Sequence, residues 1–489
     1  MEDKKSYNSI FKSSTLFGGV QIIQVVIQLL RSKMVAILLG PSGIGILGLL
    51  NNTLNFVGSI TNFGLGTSAI NEISYSNKSK NEYMLNFTIS LLNSLFWITG
   101  IVGMLICIFF SKNLSHLSFG NENYTLSFIS LSIAVLLNQL TSGNVAVLQG
   151  LRNLTSLAKA NVFGSILGLL LSFPFFYFLG IDGIVASIIA YSFSLFVFTK
   201  YFVNKIEYKP NRISIKDILY HGRSMLSSGF ILGISGLFSM LTSYLISLFI
   251  AKNGSIEQLG LYTSGLAIST NYTGLIFTAI ATDYHPRLAA LPDNKSIAKV
   301  VNQQAEITLL ILTPLILVFL VFGEILIKLL YSRDFVSIKP MISWMLIGAL
   351  FKLFSWAMSF TFVARGKIKL FFWNELLANL YVFILGILGY YFFGLVGLGY
   401  SFVISYILYS IQIYILANKI FEFKYEKKFI RTFIIHVSLS FLVYSLVKSL
   451  SIYIGMVLGT LLILAVFYFS IKDLMRKLDI PNLLKSDTV

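Results

Sequence analysis

Arg31 and Lys33 stand within an apolar segment, residues 15–39, that is long enough to span a bilayer, and Lys352 stands within another. A cation at the centre of a membrane helix costs about 2.5–3.5 kcal/mol on insertion scales, so such residues face a bundle interior or a water-filled cavity and mark a pathway. The chemistry on offer is neutralisation of an anion as it leaves water, where charge interactions strengthen. Counting about 100° per residue places Gln21, Gln24, Gln28 and Arg31 within an arc of about 80°, while Lys33 lies about 160° from its centre. Arg31 is therefore the cavity candidate. Lys33 either snorkels to an interface or meets a neighbouring helix, and is the weaker anion contact. Lys352 shares its face with Ser355 and Ser359.

Neutral polar residues also recur at helical spacing. Asn51, Asn55, Ser59 and Asn62 form one narrow stripe, and Asn138, Ser142 and Gln149 a second. Ser264, Asn271, Thr278 and Thr282 line up further on, as do Glu375 and Asn379. Such stripes can bind polar ligands, but packing is the commoner role of any single amide, through interhelical hydrogen bonds worth about 0.6 kcal/mol on average. Glu306, Glu324 and Glu375 lie toward segment ends, where an interfacial role competes with a proton relay. Asp283 and His285, beside Pro286 and Arg287, read as a solvated turn.

The elements that carry these residues follow from composition. Hydrophobic residues make up 56% of 489 positions and charged residues 12%, too little polar surface for a soluble chain of this size. Windows of about twenty apolar residues give fourteen spans, near 13–39, 43–70, 84–110, 124–150, 160–179, 183–203, 224–250, 259–282, 304–331, 338–364, 369–393, 396–417, 430–448 and 452–471. This predicts an all-α polytopic membrane protein. With both termini cytoplasmic, about 28 of the 37 basic residues fall inside and about six outside, a bias of the sign that cytoplasmic loops carry. The net charge of +17 is thus accounted for by short connections, and nucleic acid is not an expected partner. Cys107 is the only cysteine, and His116, His221, His285 and His436 are isolated, so no metal site is expected.

Weak internal matches suggest a repeat. Gly180-Ile181-Asp182-Gly183 recurs as Gly394-Leu395-Val396-Gly397, and Asn204-Lys205 as Asn418-Lys419, each displaced by 214 positions. Gly45-Ile46-Leu47 resembles Gly260-Leu261-Tyr262 at a displacement of 215. The expected organisation is two pseudo-repeated six-helix lobes, 1–210 and 211–420, around a central cavity, with a two-helix hairpin at 421–472 and a cytoplasmic tail at 473–489. Lobes of six spans share one orientation, so the cavity would lie at their interface.

Leu30-Arg31-Ser32-Lys33, the run from Gly40 through Gly48 and Phe63-Gly64-Leu65-Gly66 resemble the first helical pair of bacterial polysaccharide flippases of the O-antigen type. These belong to the multidrug/oligosaccharidyl-lipid/polysaccharide exporter (MOP) superfamily. Gln149-Gly150-Leu151-Arg152, Gly180-Ile181-Asp182-Gly183 and Tyr284-His285-Pro286-Arg287-Leu288 are similar to further helix ends of that family. The resemblance covers residues 10–420. It departs near Ser243-Tyr244, where relatives often carry an acidic residue and none stands here, and in the extra hairpin.

The resemblance implies a flippase, not an enzyme, of the bacterial cytoplasmic membrane. Its substrate would be a polyprenyl-pyrophosphate-linked oligosaccharide, moved from the cytoplasmic to the outer leaflet by alternating access. Arg31, Lys352 and Lys33 would meet the pyrophosphate, and Gln24, Gln28, Asn55, Asn62, Asn138, Asn271 and Glu375 the sugars. Partners would be membrane lipid, a polysaccharide polymerase and assembly proteins. No cofactor is implied; an ion gradient could drive transport, with the ion unread, and no Walker A pattern is present. Two alternatives stay open: a cation-coupled small-molecule exporter of the same superfamily, and a membrane polymerase or acyltransferase. The first would be expected to bury carboxylates, and the second needs a catalytic His or carboxylate on a sizeable outer loop.

Overall fold

A computed structural model describes residues 2–478 apart from 80, 207, 210 and 212. Its side chains are described from residue 23 onward, except at 219, 228, 230–232, 234, 235, 272, 279, 281–283, 285, 286, 289, 452, 477 and 478. Gln21, Thr282, Asp283, His285 and Pro286, singled out from the sequence, therefore lie outside the described side chains.

The described chain is built of α-helices and two short 3-10 turns. In order these are α1 (Glu2–Asn62), α2 (Leu65–Lys78), α3 (Glu82–Phe109), α4 (Ser111–Phe119), α5 (Thr125–Gly150), α6 (Leu154–Leu179), α7 (Gly183–Asn204) and α8 (Ile215–Asn253). They continue with α9 (Ile256–Ala289), α10 (Asn294–Leu330), α11 (Lys339–Ala364), α12 (Ile368–Phe421), α13 (Lys427–Ser449) and α14 (Ile452–Leu478). Nine stretches of the described residues are long and apolar enough to cross a membrane. Three of them, of 40, 51 and 54 residues, are about twice the length that one crossing needs. Each holds two of the expected spans.

The physical division is clear in α1 and α12. Each is interrupted by a glycine with positive φ, Gly40 at 66° and Gly394 at 59°, a conformation that costs other residues strain. Both fall where the hydropathy pattern separates two spans. Helices α8 and α9 cover the positions of the seventh and eighth expected spans. One boundary differs: the second span stops at Asn62, because Phe63 and Gly64 take positive φ and a separate helix, α2, starts at Leu65. The short helix α4 was also absent from the sequence reading.

The chain forms two compact units, Met1–Leu261 and Tyr262–Val489. In the first, the interior is a cluster of buried apolar side chains from α2, α3 and α5, including Leu65, Ile73, Leu92, Phe96, Val147 and Leu148. The hairpin of α6 and α7 closes on small residues, with Gly164 against Leu195 and Gly168 against Tyr191.

At the start of α8, Ser214 and Asp217 form a reciprocal capping box: Asp217 N–H donates to Ser214 Oγ (3.2 Å), and Ser214 N–H donates to Asp217 Oδ2 (3.2 Å). Hydrogen bonds from the Ser214 hydroxyl, then from its backbone N–H, hold the Asp217 carboxyl below its ordinary range. A depressed carboxyl contributes stability that is present above its unfolded pKa and lost as pH falls through the folded one. Protection from hydrogen exchange at the first-turn amides of α8, measured relative to the intrinsic rate, should therefore fall as pH drops below about 4. Asp217→Asn should flatten that dependence.

In the second unit, α11 packs along α12, and the terminal pair α13–α14 lies against α10. Asn302 of α10 fixes the entry to that pair, donating to Lys424 O (3.2 Å) and accepting from Glu426 N–H (2.8 Å). The rings of Phe354, Tyr425, Phe429 and Phe433 pack together there. Trp344 Nε1 of α11 donates to Tyr444 OH of α13 at 3.1 Å.

Candidate functional site

In the first unit, Arg31 points toward the α6–α7 hairpin. Its guanidinium carbon lies 4.2 Å from the centroid of the Tyr191 ring, and Tyr191 OH donates to Ser165 Oγ at 3.3 Å. Arg31 Nε and Nη2 are enclosed and have no hydrogen-bond acceptor among the described residues. Arginine does not lose its proton in proteins, so stacking on Tyr191, worth up to about 2 kcal/mol when desolvated, must hold a charge that remains underbonded. Such a group is a ready receiver for an anion. Gln24 is half-buried and Gln28 exposed on the same helix, and Lys33, half-buried, has interactions of its own.

The two neutral stripes meet. Asn55, Ser59 and Asn62 of α1 and Asn138 and Ser142 of α5 line one open recess of about 140 Å³, with Leu54, Gly58 and Val135. Gln149 is not among its lining residues. Sequence reasoning missed Gln139, which lines it too: this buried residue donates from Nε2 to Gly58 O (2.6 Å) and to Thr61 Oγ1 (3.3 Å). Its adjacency to Asn138 was the available signal. A helical wheel separates the two by about 100°, so Gln139 fell off the stripe.

Beside the recess, the second half of α1 runs antiparallel to α8 along a seam of small and polar residues. Asn52 Nδ2 donates to Ser247 Oγ at 3.0 Å, Thr53 Oγ1 donates to Tyr244 OH at 3.4 Å, and Ser59 Oγ lies 2.7 Å from Met240 Sδ. The Tyr244 phenol bridges helices, with Thr53 of α1 on one side and Ser118 of α4 on the other. Glycines close both ends. Gly64 lies on the backbone of Gly229, and Gly45 on that of Ile256, while Gly260 lies on Pro41, leaving no room for a Cβ. Gly45 and Gly260 are the pair matched by the internal repeat.

In the second unit, Lys352 Nζ of α11 sits 5.6 Å from the Phe277 ring centroid and 5.7 Å from that of Tyr406. The Glu375 carboxyl of α12 accepts from Tyr409 OH at 2.6 Å. Thus Lys352 and Glu375, chosen separately from the sequence, meet one polar cluster on α12 at Tyr406 and Tyr409, one helical turn apart. Asn374 and Gln412, not selected, extend it: Gln412 Nε2 donates to Asn374 Oδ1 (2.7 Å), and Tyr381 OH donates to Gln412 Oε1 (2.7 Å). Asn379 donates to the Glu375 carbonyl within its own helix (2.8 Å). Asn271 is half-buried on α9.

Removing the donor from a charged acceptor costs more than removing one from a neutral amide, about 1.5–3 against 0.5–1.5 kcal/mol. Tyr409→Phe should therefore lower the unfolding temperature in detergent more than Tyr381→Phe does.

A family model described as "Polysaccharide biosynthesis protein" matches residues 34–340. Among solved structures, the inward-closed lipid II flippase MurJ is similar with a TM-score of 0.73 at 14% identity, over 95% of this chain and 99% of that one. An inward-facing multidrug resistance MATE family transporter of the MOP superfamily is similar with a TM-score of 0.70 at 15% identity, over 83% and 97%. The Vibrio cholerae MATE transporter VcmN gives 0.60 at 15% identity, over 84% and 96%. No curated protein matches the chain.

Proposed function

The chain belongs to the polysaccharide biosynthesis protein family, and from that membership we propose that it is a flippase for a polyprenyl-pyrophosphate-linked oligosaccharide. It carries the head group from the cytoplasmic to the outer leaflet of the bacterial inner membrane, both termini cytoplasmic, while the lipid tail stays in the bilayer. The observation that supports this best is the enclosed Arg31 guanidinium with Nε and Nη2 unpartnered. A pyrophosphate offers the oxygens that these N–H groups lack, in the paired geometry that suits arginine. Lys352 and Lys33 serve as further cationic contacts. The amides of the stripes, with Glu375, contact sugar hydroxyls. The likeness to a lipid II flippase supports a lipid-linked substrate, and a polymerase with its assembly proteins would receive the product.

Transport is by alternating access in the manner of MOP-type folds. The test is reconstitution of the purified chain in proteoliposomes that contain a polyprenyl-diphosphate-linked oligosaccharide. Exposure of the sugar to an external glycosidase should rise above that in protein-free vesicles.

The MATE likeness and the half-buried Glu375 favour one other reading, an ion-coupled exporter of small cations. Proton- or sodium-driven expulsion of ethidium from the same vesicles, with no movement of the glycolipid, would establish the exporter instead.

A further inference from the structure

The recess between α1 and α5 has a specific imbalance. Asn62 Oδ1 and Gln139 Oε1 are both enclosed, and no protein group among the described residues donates to either. Gln139 is 3% exposed and held in place through its Nε2 bond to Gly58 O, so its carbonyl oxygen cannot turn away without breaking that contact. A buried acceptor without a donor costs free energy, and two on one recess specify a ligand rich in O–H donors. The remaining lining is Leu54, Asn55, Gly58, Ser59, Val135, Asn138 and Ser142, without a charged side chain. The volume of about 140 Å³ is smaller than that of a site for a whole small ligand, roughly 300–1,000 Å³, and suits a subsite for one ring of a larger ligand.

We propose that this recess is a sugar subsite selective for an uncharged hexose, whose hydroxyls donate to Asn62 Oδ1 and Gln139 Oε1, and that it rejects an acidic sugar. The inference rests on the flippase reading and adds the class of sugar. A carboxylate brings acceptors to a wall that already has two acceptors too many, and the lining supplies no cation to offset its desolvation. The apolar edges of Leu54 and Val135 suit the C–H faces of a pyranose.

The experiment uses the full chain in nanodiscs and titrates three probes by native mass spectrometry: polyprenyl diphosphate, its glucose or galactose conjugate, and its glucuronic acid conjugate. The better neutral conjugate should bind about tenfold more tightly than the bare carrier, the sum expected of two net hydrogen bonds. The glucuronic acid conjugate should show no such gain. Gln139→Met, close to isosteric, should abolish the gain and leave carrier binding unchanged.

Equal binding of all three probes, or an equal gain from glucuronic acid, overturns the subsite while the flippase reading stands. Failure of the bare carrier to bind overturns the flippase reading itself. The probe comparison needs only the unaltered chain, so it holds even if Gln139→Met does not fold. A thermal shift caused by sodium chloride but not by N-methylglucamine chloride, and lost in Gln139→Met, would make the recess a cation site and also overturn the proposal.

Discussion

Arg31→Ala should abolish surface polysaccharide while the protein accumulates and inserts normally. The guanidinium is enclosed, stacked on Tyr191 and underbonded at two nitrogens, so its loss leaves the anion without the donors that compensate its removal from water. Truncating one partner of a buried, hydrogen-bonded charge pair costs about 2–5 kcal/mol, which predicts a fall in transport of roughly thirtyfold or more. Arg31→Lys keeps the charge and loses the paired geometry. It should restore part of the polymer. Lys33→Ala should do much less, because Lys33 lies on the other side of the helix and has interactions elsewhere. Immunoblots of membranes and quantification of surface polymer check all three, and normal polymer in Arg31→Ala would exclude the anion role.

Joining α1 to α8 by a disulfide should stop transport reversibly. Alternating access requires the walls of the pathway to part at one end and then at the other, and the seam between α1 and α8 is held by the Asn52–Ser247 bond and closed by glycine contacts, Gly64 on Gly229 at one end and Gly260 of α9 on Pro41 at the other. In an Asn52→Cys/Ser247→Cys pair, side chains now 3.0 Å apart would cross-link on oxidation. The one native cysteine, Cys107, is buried and can be replaced by serine to clear the background. Transport in proteoliposomes should fall at least about tenfold on oxidation and recover with reductant, since a covalent bond removes the motion that gates the cycle. Full activity of the oxidised pair would show that this seam does not open. As a second probe, Gly260→Val places side-chain atoms against the Pro41 carbonyl. It should slow transport by forcing the start of α9 away from α1.

Much of the helical layout was legible because it depends on local rules. Bilayer thickness sets the length of an apolar run, and a glycine at positive φ breaks it, so the divisions at Gly40 and Gly394 fell where hydropathy had placed them. The end of the second span did not. Its apolar run continues past Phe63 and Gly64, and only the backbone conformation there shows the turn. The candidate residues divide in the same way. Helical periodicity places Asn55, Ser59 and Asn62 on one face of α1, and Asn138 and Ser142 on one face of α5, without reference to a partner.

The sequence by itself determined the membrane setting, fourteen spans, the polar faces and the rarity of Arg31 and Lys352 as intramembrane cations. All of these follow from composition and from contacts within about four residues along a helix. Tertiary structure decided which faces meet. It joined the α1 and α5 stripes in one recess, turned Gln139 inward with an unsatisfied oxygen, set Arg31 on Tyr191 and gathered Lys352 and Glu375 into one cluster. The physical reason is that lipid gives helices little hydrophobic drive toward a particular neighbour. Pairing and rotation are set by close backbone approach and interhelical hydrogen bonds between residues far apart in the chain, such as Gly45 with Ile256 and Asn52 with Ser247.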